Sequence, residues 1–368
     1  FRRVLFRSTA RLVERCRALM RLRSALGEEG YRARKRALLG ELIDLPSTPH
    51  GGASLEDAAA ALEALHSAGF LESKDELTAV VDFEESATIR KINCSYFPTV
   101  KQMFKSKAVD GVIIATPNSS HFKDGIEVIK NECAVLIEKP ITIRSKDTEK
   151  LILEAKKKKV QILVGHHRRH NPIMHKAKEI IDSDILGKIR TININCQMFK
   201  PDTYFKKAKW KKNDGAGPVF VNLIHDLDLM NFLFGKIGKV FSISKNSIRG
   251  FENEDVSGAV IEFQKGIIAT FITSDSVASP WSWELTAREN EIYPSTEESS
   301  YLIGGTKASM SLPNLKLWQH SKNGHWVTPI SSTNYPYKFS DPLANQIEHF
   351  CNVIKKKEKP IRSEEHTS

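Results

Sequence analysis

The chain has 368 residues, of which 40% are apolar and 27% charged, with a net charge of +11 and a mean hydropathy of −0.33. This composition excludes an intrinsically disordered chain, a collagen-like repeat and a polytopic membrane protein, and the length predicts two domains. The five cysteines are scattered and form no CxxC motif, so the sequence predicts reduced thiols in a cytoplasmic protein rather than a disulfide framework or a zinc site.

The two ends of the chain resemble one artificial sequence read from its two strands. Phe1–Ser8 can be encoded by an oligonucleotide whose reverse complement encodes RSEEHTS, the sequence of Arg362–Ser368. Such a sequence resembles a sequencing-library adapter. We therefore set both ends aside in predicting the fold and interpret residues 362–368 as an artificial tail.

A change in amino-acid usage near Lys74 marks a second discontinuity. Residues 9–73 contain eight Arg and one Lys, whereas residues 74–361 contain seven Arg among 35 Lys. A difference in codon bias produces such a shift, so we predict that residues 1–74 are a segment foreign to the rest, joined by misassembly. The alternative is a genuine basic helical extension, in which Ser54–Asp57 forms a capping box and Gly69 ends the helix.

Residues 75–172 alternate short apolar runs with segments of helical period. The apolar runs suit strands that are buried on both faces, and they are Leu77–Asp82, Gly111–Thr116, Ala134–Glu138 and Gln161–Gly165. The predicted helices between them lie around Thr99–Lys107, Ser120–Lys130 and Lys146–Lys158. This alternation predicts an α/β fold, a Rossmann-type doubly wound parallel sheet.

Residues 173–361 predict a second, α+β domain with a mostly antiparallel open sheet. Apolar and polar residues alternate in four segments, which indicates strands with one solvated face: Ile189–Phe199, Val240–Ile248, Gly258–Phe263 and Ile267–Ser274. Helices are predicted near Ile173–Asp182, Val219–Phe234 and Pro342–Lys356.

Three short motifs follow the predicted parallel strands. Asp82 ends the first run. In dinucleotide folds, the carboxylate that binds the adenosine ribose has the same position at a strand end, and such an acid favours NAD over NADP. The second run leads into ATPNSSH, Ala115–His121, at the sheet edge where open α/β sheets bind ligands. The third ends in Glu138-Lys139-Pro140, where a lysine can lie beside a substrate hydroxyl. Taken singly, each motif has a structural alternative: a turn former, a strand-to-helix loop and a charged turn.

Together with GHHRRHNP (Gly165–Pro172) and a GP-x6-H-D-x-D helix, these motifs resemble the Gfo/Idh/MocA family of oxidoreductases over about Leu77–Pro360. The resemblance implies a Rossmann domain, a second domain built on an antiparallel sheet, and oxidation or reduction of sugars, inositols or related polyols with NAD, with NADP as the alternative. It implies that Lys139 and His225 are catalytic. It also implies that seven residues line the dinucleotide site: Asp82, Thr116, Pro117, Asn118, His121, Glu138 and Pro140.

The required chemistry agrees with the two catalytic assignments. Oxidation of a secondary alcohol needs a base for the hydroxyl proton, and the pKa of histidine suits that task. Lys139 would hydrogen-bond the same oxygen and stabilise its developing charge. The alternative for His225 is a partly buried helix histidine bonded to Asp226 or Asp228. Four further residues are predicted to bind substrate, with a buried aromatic core as the alternative for the tryptophan: Arg168, Asn171, Asn222 and Trp210.

Two features depart from the family pattern. Val221 stands where the family has an aspartate one helical turn before the histidine, and Asn222 is expected to take over a polar role. No GxGxxG motif occurs in the sequence, and the Arg/Ala-rich segment replaces the strand and the glycine turn that should precede Leu77. The first βα unit, with the turn that holds the cofactor diphosphate, is therefore predicted to be missing. The chain is therefore predicted to be a truncated, chimeric family member, and loss of cofactor binding and activity is an open outcome.

Other functions were weighed against this one. A catalytically silent sugar or dinucleotide sensor of the same fold is the first alternative. A DNA-binding regulator that uses the Arg-rich front segment is the second. We expect a homo-oligomer that binds no nucleic acid and no membrane. We also expect no metal site, because the histidines His166, His167 and His170 follow a strand and lack partner carboxylates.

Overall fold

The computed structural model describes residues 4–6, 77–83, 85, 89, 94–206, 209–290, 292–321 and 324–361. These residues form two compact units: a first unit that ends at His170 and also includes residues 341–361, and a second unit, residues 171–340. The predicted capping box Ser54–Asp57, Gly69 and the predicted tail 362–368 lie outside the described residues. No helix in the described ranges combines the length and the apolar character needed to span a membrane.

The first unit contains short parallel strands, as the apolar runs predict. The strands are β1 Val4–Phe6, β2 Leu77–Val81, β3 Ser95–Phe97, β4 Gly111–Ile114, β5 Ala134–Ile137 and β6 Ile162–Val164. All their pairings are parallel, in the orders β1-β2-β3 and β4-β5-β6, and β1 lies beside β4. The sequence of neighbours 3-2-1-4-5-6 is that of a Rossmann fold, so the predicted fold class is confirmed.

One expectation about the front of the chain was wrong. Phe1–Ser8 was set aside in predicting the fold and the first Rossmann strand was predicted to be missing, yet Val4–Phe6 pairs in parallel with Leu77–Val81. The central position of a parallel sheet requires only a short run of apolar residues with high strand propensity, which Val-Leu-Phe provides. The strand β3, Ser95–Phe97, was also not predicted.

Helices alternate with the strands of the first unit, and the first of those described begins at a side-chain cap. They are α1 Val100–Ser106, α2 His121–Lys130 and α3 Ser145–Lys158. The Thr99 side chain accepts a hydrogen bond from the Gln102 N–H and caps α1. Lys159 ends α3 in the left-handed conformation, with φ of 55°.

The last helix packs with the first unit, although the predicted boundaries placed residues 173–361 together in the second domain. Its apolar residues Ile347 and Phe350 are buried against Ile113 and Leu136 of the parallel strands. This helix covers Pro342–Ile354 and is capped by the Asp341 side chain. Burial of its apolar face against the parallel strands explains the placement.

The second unit is built on one eight-stranded sheet. The strands are β7 Ile189–Gln197, β8 Ile237–Asn246, β9 Glu254–Phe263, β10 Ile268–Ser274, β11 Tyr301–Gly305, β12 Ala308–Leu312, β13 Lys316–His320 and β14 Ile330–Asn334. They lie in the order β14-β13-β12-β11-β7-β10-β9-β8. Only β7 and β10 run parallel, and the other neighbouring pairs are antiparallel, as predicted.

The α-helices among the described residues of this unit are α4 Pro172–Asp182, α5 Asp202–Lys206, α6 Ile224–Phe234 and α7 Trp283–Thr286. One face of the sheet packs against α4 and α6, and the resulting core includes Met174, Leu229, Ile261 and Phe271. Gly235 ends α6 with φ of 91°, which a side chain rarely allows. The first turn of the predicted helix Val219–Phe234 is a π-helical turn, Val219–Leu223, that leads into α6.

Candidate active site

Three loops at the carboxyl ends of β4, β5 and β6 carry the motif residues of the first unit. Backbone hydrogen bonds continue past the strand ends, since the Glu138 N–H donates to the Ile114 carbonyl at 2.8 Å and the Gly165 N–H to the Ile137 carbonyl at 2.7 Å. ATPNSSH, EKP and GHHRRHNP therefore begin at the same edge of the sheet. This is the edge at which open α/β sheets bind ligands.

Glu138 and Lys139 are buried at this edge, with 7% and 9% of their surfaces exposed. The Lys139 N–H donates to Oε2 of Glu138 at 3.2 Å. A side chain at Gly165 would bring a Cβ within 2.7 Å of Oε1 of Glu138, so the glycine leaves the space that this carboxylate occupies. The EKP turn is thus packed tightly between two strand ends, with a cis peptide bond between Lys139 and Pro140.

His121 connects two of the three loops. Its Nδ1 lies 2.8 Å from the carbonyl oxygen of Pro140, and its Nε2 lies 2.8 Å from that of Thr116. The ring is 1% exposed. Burial lowers the pKa of His121, and this effect is opposed by the two carbonyl oxygens and by Asp124. The imidazole therefore acts on the loops through their backbone, and its predicted contact with a dinucleotide stays a prediction.

The other predicted dinucleotide residues also have local partners. The Asp82 carboxylate accepts a hydrogen bond from the Phe83 N–H, and the Tyr96 hydroxyl donates to the Asp82 carbonyl at 3.0 Å. The Thr116 hydroxyl donates to Asp124 at 3.0 Å in the first turn of α2. The Pro117 and Asn118 carbonyls accept from Ser120 and His121 N–H groups and form the turn that starts this helix.

The two predicted substrate residues of the GHHRRHNP motif belong to different units. Arg168 is buried in a 3₁₀ turn, His167–His170, which Asn345 holds by donating to the His170 carbonyl at 3.0 Å. Asn171 starts the second unit and caps α4 by accepting from the Ile173 N–H at 2.9 Å. Its amide nitrogen donates to Glu289 at 2.8 Å. The Asn171 side chain thus has a structural role, which the spacing Asn-Pro before a helix could have indicated.

His225 lies in the first turn of α6 and is buried, with 6% of its surface exposed. The next residue, Asp226, accepts a hydrogen bond from the Tyr301 hydroxyl. The turn before α6 is held by Glu254, whose Oε1 accepts from the Val219 N–H at 3.0 Å. A Cβ at Gly217 would lie 2.2 Å from this carboxylate, so the glycine of the GP motif makes room for Glu254.

Asn222, in the π-helical turn, belongs to a buried polar cluster that the sequence did not predict. Its Oδ1 accepts from Lys200 Nζ at 2.8 Å, and its Nδ2 donates to Oε1 of Glu284 at 3.2 Å. Lys200 also pairs with Asp275 at 3.5 Å. Lys200 lies just beyond β7 in a lysine-rich segment, where no motif distinguishes it from solvated lysines. The polar role predicted for Asn222 was the only feature of the sequence analysis that indicated this cluster.

The predicted substrate residue Trp210 and two other tryptophans of the second unit differ in exposure. Trp283 is 1% exposed, stacks edge-on against Tyr301 with ring centroids 6.0 Å apart, and donates to Glu289 at 2.8 Å. Trp210 is half-buried in the 3₁₀ turn Lys209–Lys212 and its contact with substrate stays a prediction. Trp281 is exposed. Trp283 is therefore a core residue.

No group of three or more His, Cys, Asp or Glu side chains is arranged to hold a metal ion among the residues that the structure describes. Of the cysteines, Cys133 lies under the parallel sheet, and burial raises the pKa of its thiol to about 12. This thiol therefore stays protonated at neutral pH.

Comparison with known proteins agrees with both units. Residues 51–166 match the model described as "Oxidoreductase family, NAD-binding Rossmann fold", and residues 174–311 match the "GFO/IDH/MocA C-terminal domain". The chain is similar to the 2,7-anhydro-N-acetylneuraminate hydratase of Escherichia coli K12, with 27% identity over 64% of this chain and 60% of that protein. It is also similar to the NAD-dependent scyllo-inositol 2-dehydrogenase of Bacillus subtilis 168, with 24% identity over 71% and 72%.

A solved structure shares the fold. The WlbA dehydrogenase of Bordetella pertussis, in complex with NADH and UDP-GlcNAcA, superimposes with a TM-score of 0.62 at 18% identity, covering 82% of this chain and 86% of that one. The alignments span 60%, 58% and 47% of the first three curated relatives, that is, about half to three-fifths of their length. With family models matched on both units, the chain belongs to the Gfo/Idh/MocA family of oxidoreductases.

Proposed function

We propose that the chain transfers a hydride between a nicotinamide cofactor and a secondary alcohol of a sugar, inositol or related polyol. The observation that carries the proposal is the buried Glu138-Lys139-Pro140 turn at the ligand-binding edge of a parallel sheet, in a chain of this oxidoreductase family. The inositol dehydrogenase and the anhydro-sugar hydratase among the relatives support a ring-shaped polyhydroxylated substrate.

The described residues fit part of a nicotinamide cofactor. Asp82 directly follows β2 and has a carboxylate of the kind that binds an adenosine ribose, and Thr116 and Glu138 follow β4 and β5. The segment between β1 and β2, which would hold the diphosphate in this fold, lies outside the described residues. When bound, the nicotinamide supplies the acceptor or donor of the hydride. NAD is proposed because Asp82 would repel the 2′-phosphate of NADP.

The chain's own residues supply the proton chemistry. His225 accepts the substrate's hydroxyl proton during oxidation and returns it during reduction. The Lys139 ammonium donates a hydrogen bond to the same oxygen and stabilises its negative charge. Glu138, whose carboxylate accepts from the Lys139 N–H, fixes the turn from which the lysine extends. Arg168 and Asn222 are proposed to orient the polyol.

Calorimetry of NADH binding followed by turnover assays with inositols and anhydro-sugar acids tests the proposal. We expect Lys139→Ala and His225→Ala to lower kcat by about 10²–10⁴-fold, the usual contribution of an acid–base group. The matched controls Lys146→Ala and His320→Asn change exposed residues and should leave kcat unchanged. Full turnover by either of the first two variants would contradict the assignment.

A second version of the chain distinguishes an incorrect functional proposal from the loss of cofactor binding that a missing diphosphate site would cause. In this version, residues 1–74 are replaced by a strand–GxGxxG–helix unit. Binding of NADH by the repaired version alone supports a foreign front segment. Tight binding by the chain as it stands would refute that part of the interpretation, and tight binding without turnover of any polyol would indicate the sensor instead.

A further inference from the structure

The cluster around Lys200 includes the predicted substrate residue Asn222, but Lys200 and its partners Asp275 and Glu284 were not predicted. The Lys200 side chain is 9% exposed, and Asp275, its ion-pair partner at 3.5 Å, is 2% exposed. Lysine is rarely buried unless it is paired, because removing an ammonium group from water costs several kcal/mol. Burial accordingly lowers the pKa of Lys200, and Asp275 and Glu284 oppose that change. The free-energy cost of burying the Lys200 ammonium indicates that this side chain has a function.

Asp275 is shared with a second cation, Arg249, which also lies 4.0 Å from Asp255, so two cations and two buried carboxylates form one charged network. The Arg249 guanidinium donates to Oδ1 of Asp275 at 2.9 Å and to the Asp275 and Lys200 carbonyls at 2.8 and 3.1 Å. Arg249 also anchors the backbone at Lys200. The shortest contact of the Lys200 ammonium that the structure gives is the one to Asn222, at 2.8 Å.

Asn222 is fixed at both ends of its amide. Lys200 donates to its oxygen, while its nitrogen donates to Glu284 at 3.2 Å and to the Met198 sulfur at 3.6 Å. Lys200 and Met198 follow β7, and Glu284 lies in α7. Two residues that follow β7 and one residue of α7 therefore hold the Asn222 side chain. Asn222 lies in the π-helical turn, three residues before His225. The neighbouring Val221 has an apolar side chain and cannot replace these hydrogen bonds.

We propose that Lys200 is a positioning residue for His225: through Asn222 it fixes the π-helical turn from which α6 starts. The proposal rests on the proposed function for its catalytic meaning. Its structural content, the coupling of Lys200 to His225 through Asn222, does not depend on turnover. A π-helical turn is rare and is frequently found at functional sites, and Val219–Leu223 is such a turn directly before His225.

NMR of the full chain with ¹³C-labelled histidine tests this coupling. The His225 signal is assigned with His225→Gln, and its titration is compared in Lys200→Met, Asn222→Leu and the double variant. Both single variants should shift the His225 signal and its titration midpoint by comparable amounts. The double variant should shift them no further than either single one, because the two residues act in series. Lys206→Met, an exposed lysine in α5, is the matched control and should change nothing.

Several results would overturn the proposal. One is a His225 titration unchanged in Lys200→Met; another is fully additive shifts in the double variant, which would show independent effects. If Lys200→Met does not fold, Asn222→Leu, which leaves the Lys200–Asp275 pair intact, decides alone. If the chain turns over, Lys200→Met should lower kcat by about 10²-fold, as a small displacement of a catalytic group does. Failure of the proposed function would appear separately, as a coupled His225 in a chain without turnover.

Discussion

Single buried polar groups decide the geometry of the proposed site. His121 shows this most directly, because one ring lies 2.8 Å from carbonyl oxygens of two loops that are 24 residues apart, at Thr116 and Pro140. An exposed loop could adopt many conformations, but a shared buried partner ties two loops to each other. Lys139, next to Pro140, therefore depends on a residue that was predicted to contact the cofactor.

Replacing His121 by Phe keeps a ring of similar shape and removes its nitrogens. We expect the free energy of unfolding to fall by about 1–3 kcal/mol, the cost of leaving a buried polar group without its partner. Denaturant titrations of the variant and the wild type measure this difference. His320→Asn, an exposed histidine, is the control and should leave stability unchanged.

The pH dependence of that difference has a definite sign. Burial lowers the pKa of His121 below its ordinary value of 6.5 in the folded state, so the unfolded chain binds more protons in the window just below 6.5. The stability that His121 contributes is therefore complete above pH 6.5 and is lost as the pH falls through the folded-state value. The gap between wild type and His121→Phe should shrink on acidification, and a gap that widens would contradict the assignment.

At the scale of elements, the helix that carries His225 starts at a cap formed from a distant strand. Glu254, in β9, accepts from the Val219 N–H, and Gly217 has no side chain that would displace the carboxylate. A carboxylate also interacts favourably with the positive end of the helix dipole. This arrangement places the protein's own carboxylate at the helix start.

Gly217→Ala should therefore act by removing the cap. The new methyl group would displace the Glu254 carboxylate, and we expect a loss of about 1 kcal/mol, the usual value of an N-cap. Glu254→Ala should cost a similar amount, and the double variant little more than either, measured by denaturant unfolding. Glu252→Ala, an exposed neighbour, is the control. Additive losses would show that Gly217 and Glu254 act independently.

The sequence predicted elements better than it predicted contacts. The runs ending at Ile114, Ile137 and Val164 form parallel strands because uninterrupted apolar residues fit only a sheet buried on both faces. Local pattern could not reveal that Lys200, in a segment with many lysines, is buried, since its partners Asn222 and Asp275 are distant in sequence. The strand Val4–Phe6 was missed because its origin was judged from codons and its fit to the sheet was not considered.

For the molecule as a whole, the outer face of the eight-stranded sheet is the feature that predicts its assembly. Where β8 pairs with β9, Phe241 lies opposite Val260 and Ile243 lies opposite Gly258. Gly258 also lies opposite Ile272 of β10, the next strand in the sheet. Phe241, Ile243 and Ile272 are 67%, 71% and 49% exposed. A contiguous exposed apolar surface of this kind usually marks an interface.

The polar residues on this face already bond to one another. Asn193 donates to Thr270 at 3.0 Å, Asn195 to Asn193 at 3.0 Å, and Gln197 to Asn195 at 3.1 Å. If a partner covers this face, these side chains keep hydrogen bonds to one another, so the cost of removing them from water is reduced. The partner must present a matching apolar surface, and a second copy of the same face presents one in a two-fold arrangement. We therefore expect the predicted homo-oligomer to form through this face.

Light scattering after gel filtration tests the assembly. We expect the chain to run as a dimer or a higher even-numbered oligomer, and Phe241→Arg combined with Ile243→Arg to shift it to the monomer, because unpaired charges cannot be buried at an interface. Ile143→Arg, at an exposed apolar residue of the first unit, is the matched control and should leave the mass unchanged. A monomeric wild type, or an oligomer that persists in the double variant, would assign the sheet face a different partner. Because β7 and β10 contribute to this face and lead directly into Lys200 and Asp275, dissociation should also alter the His225 signal if the interface supports the site.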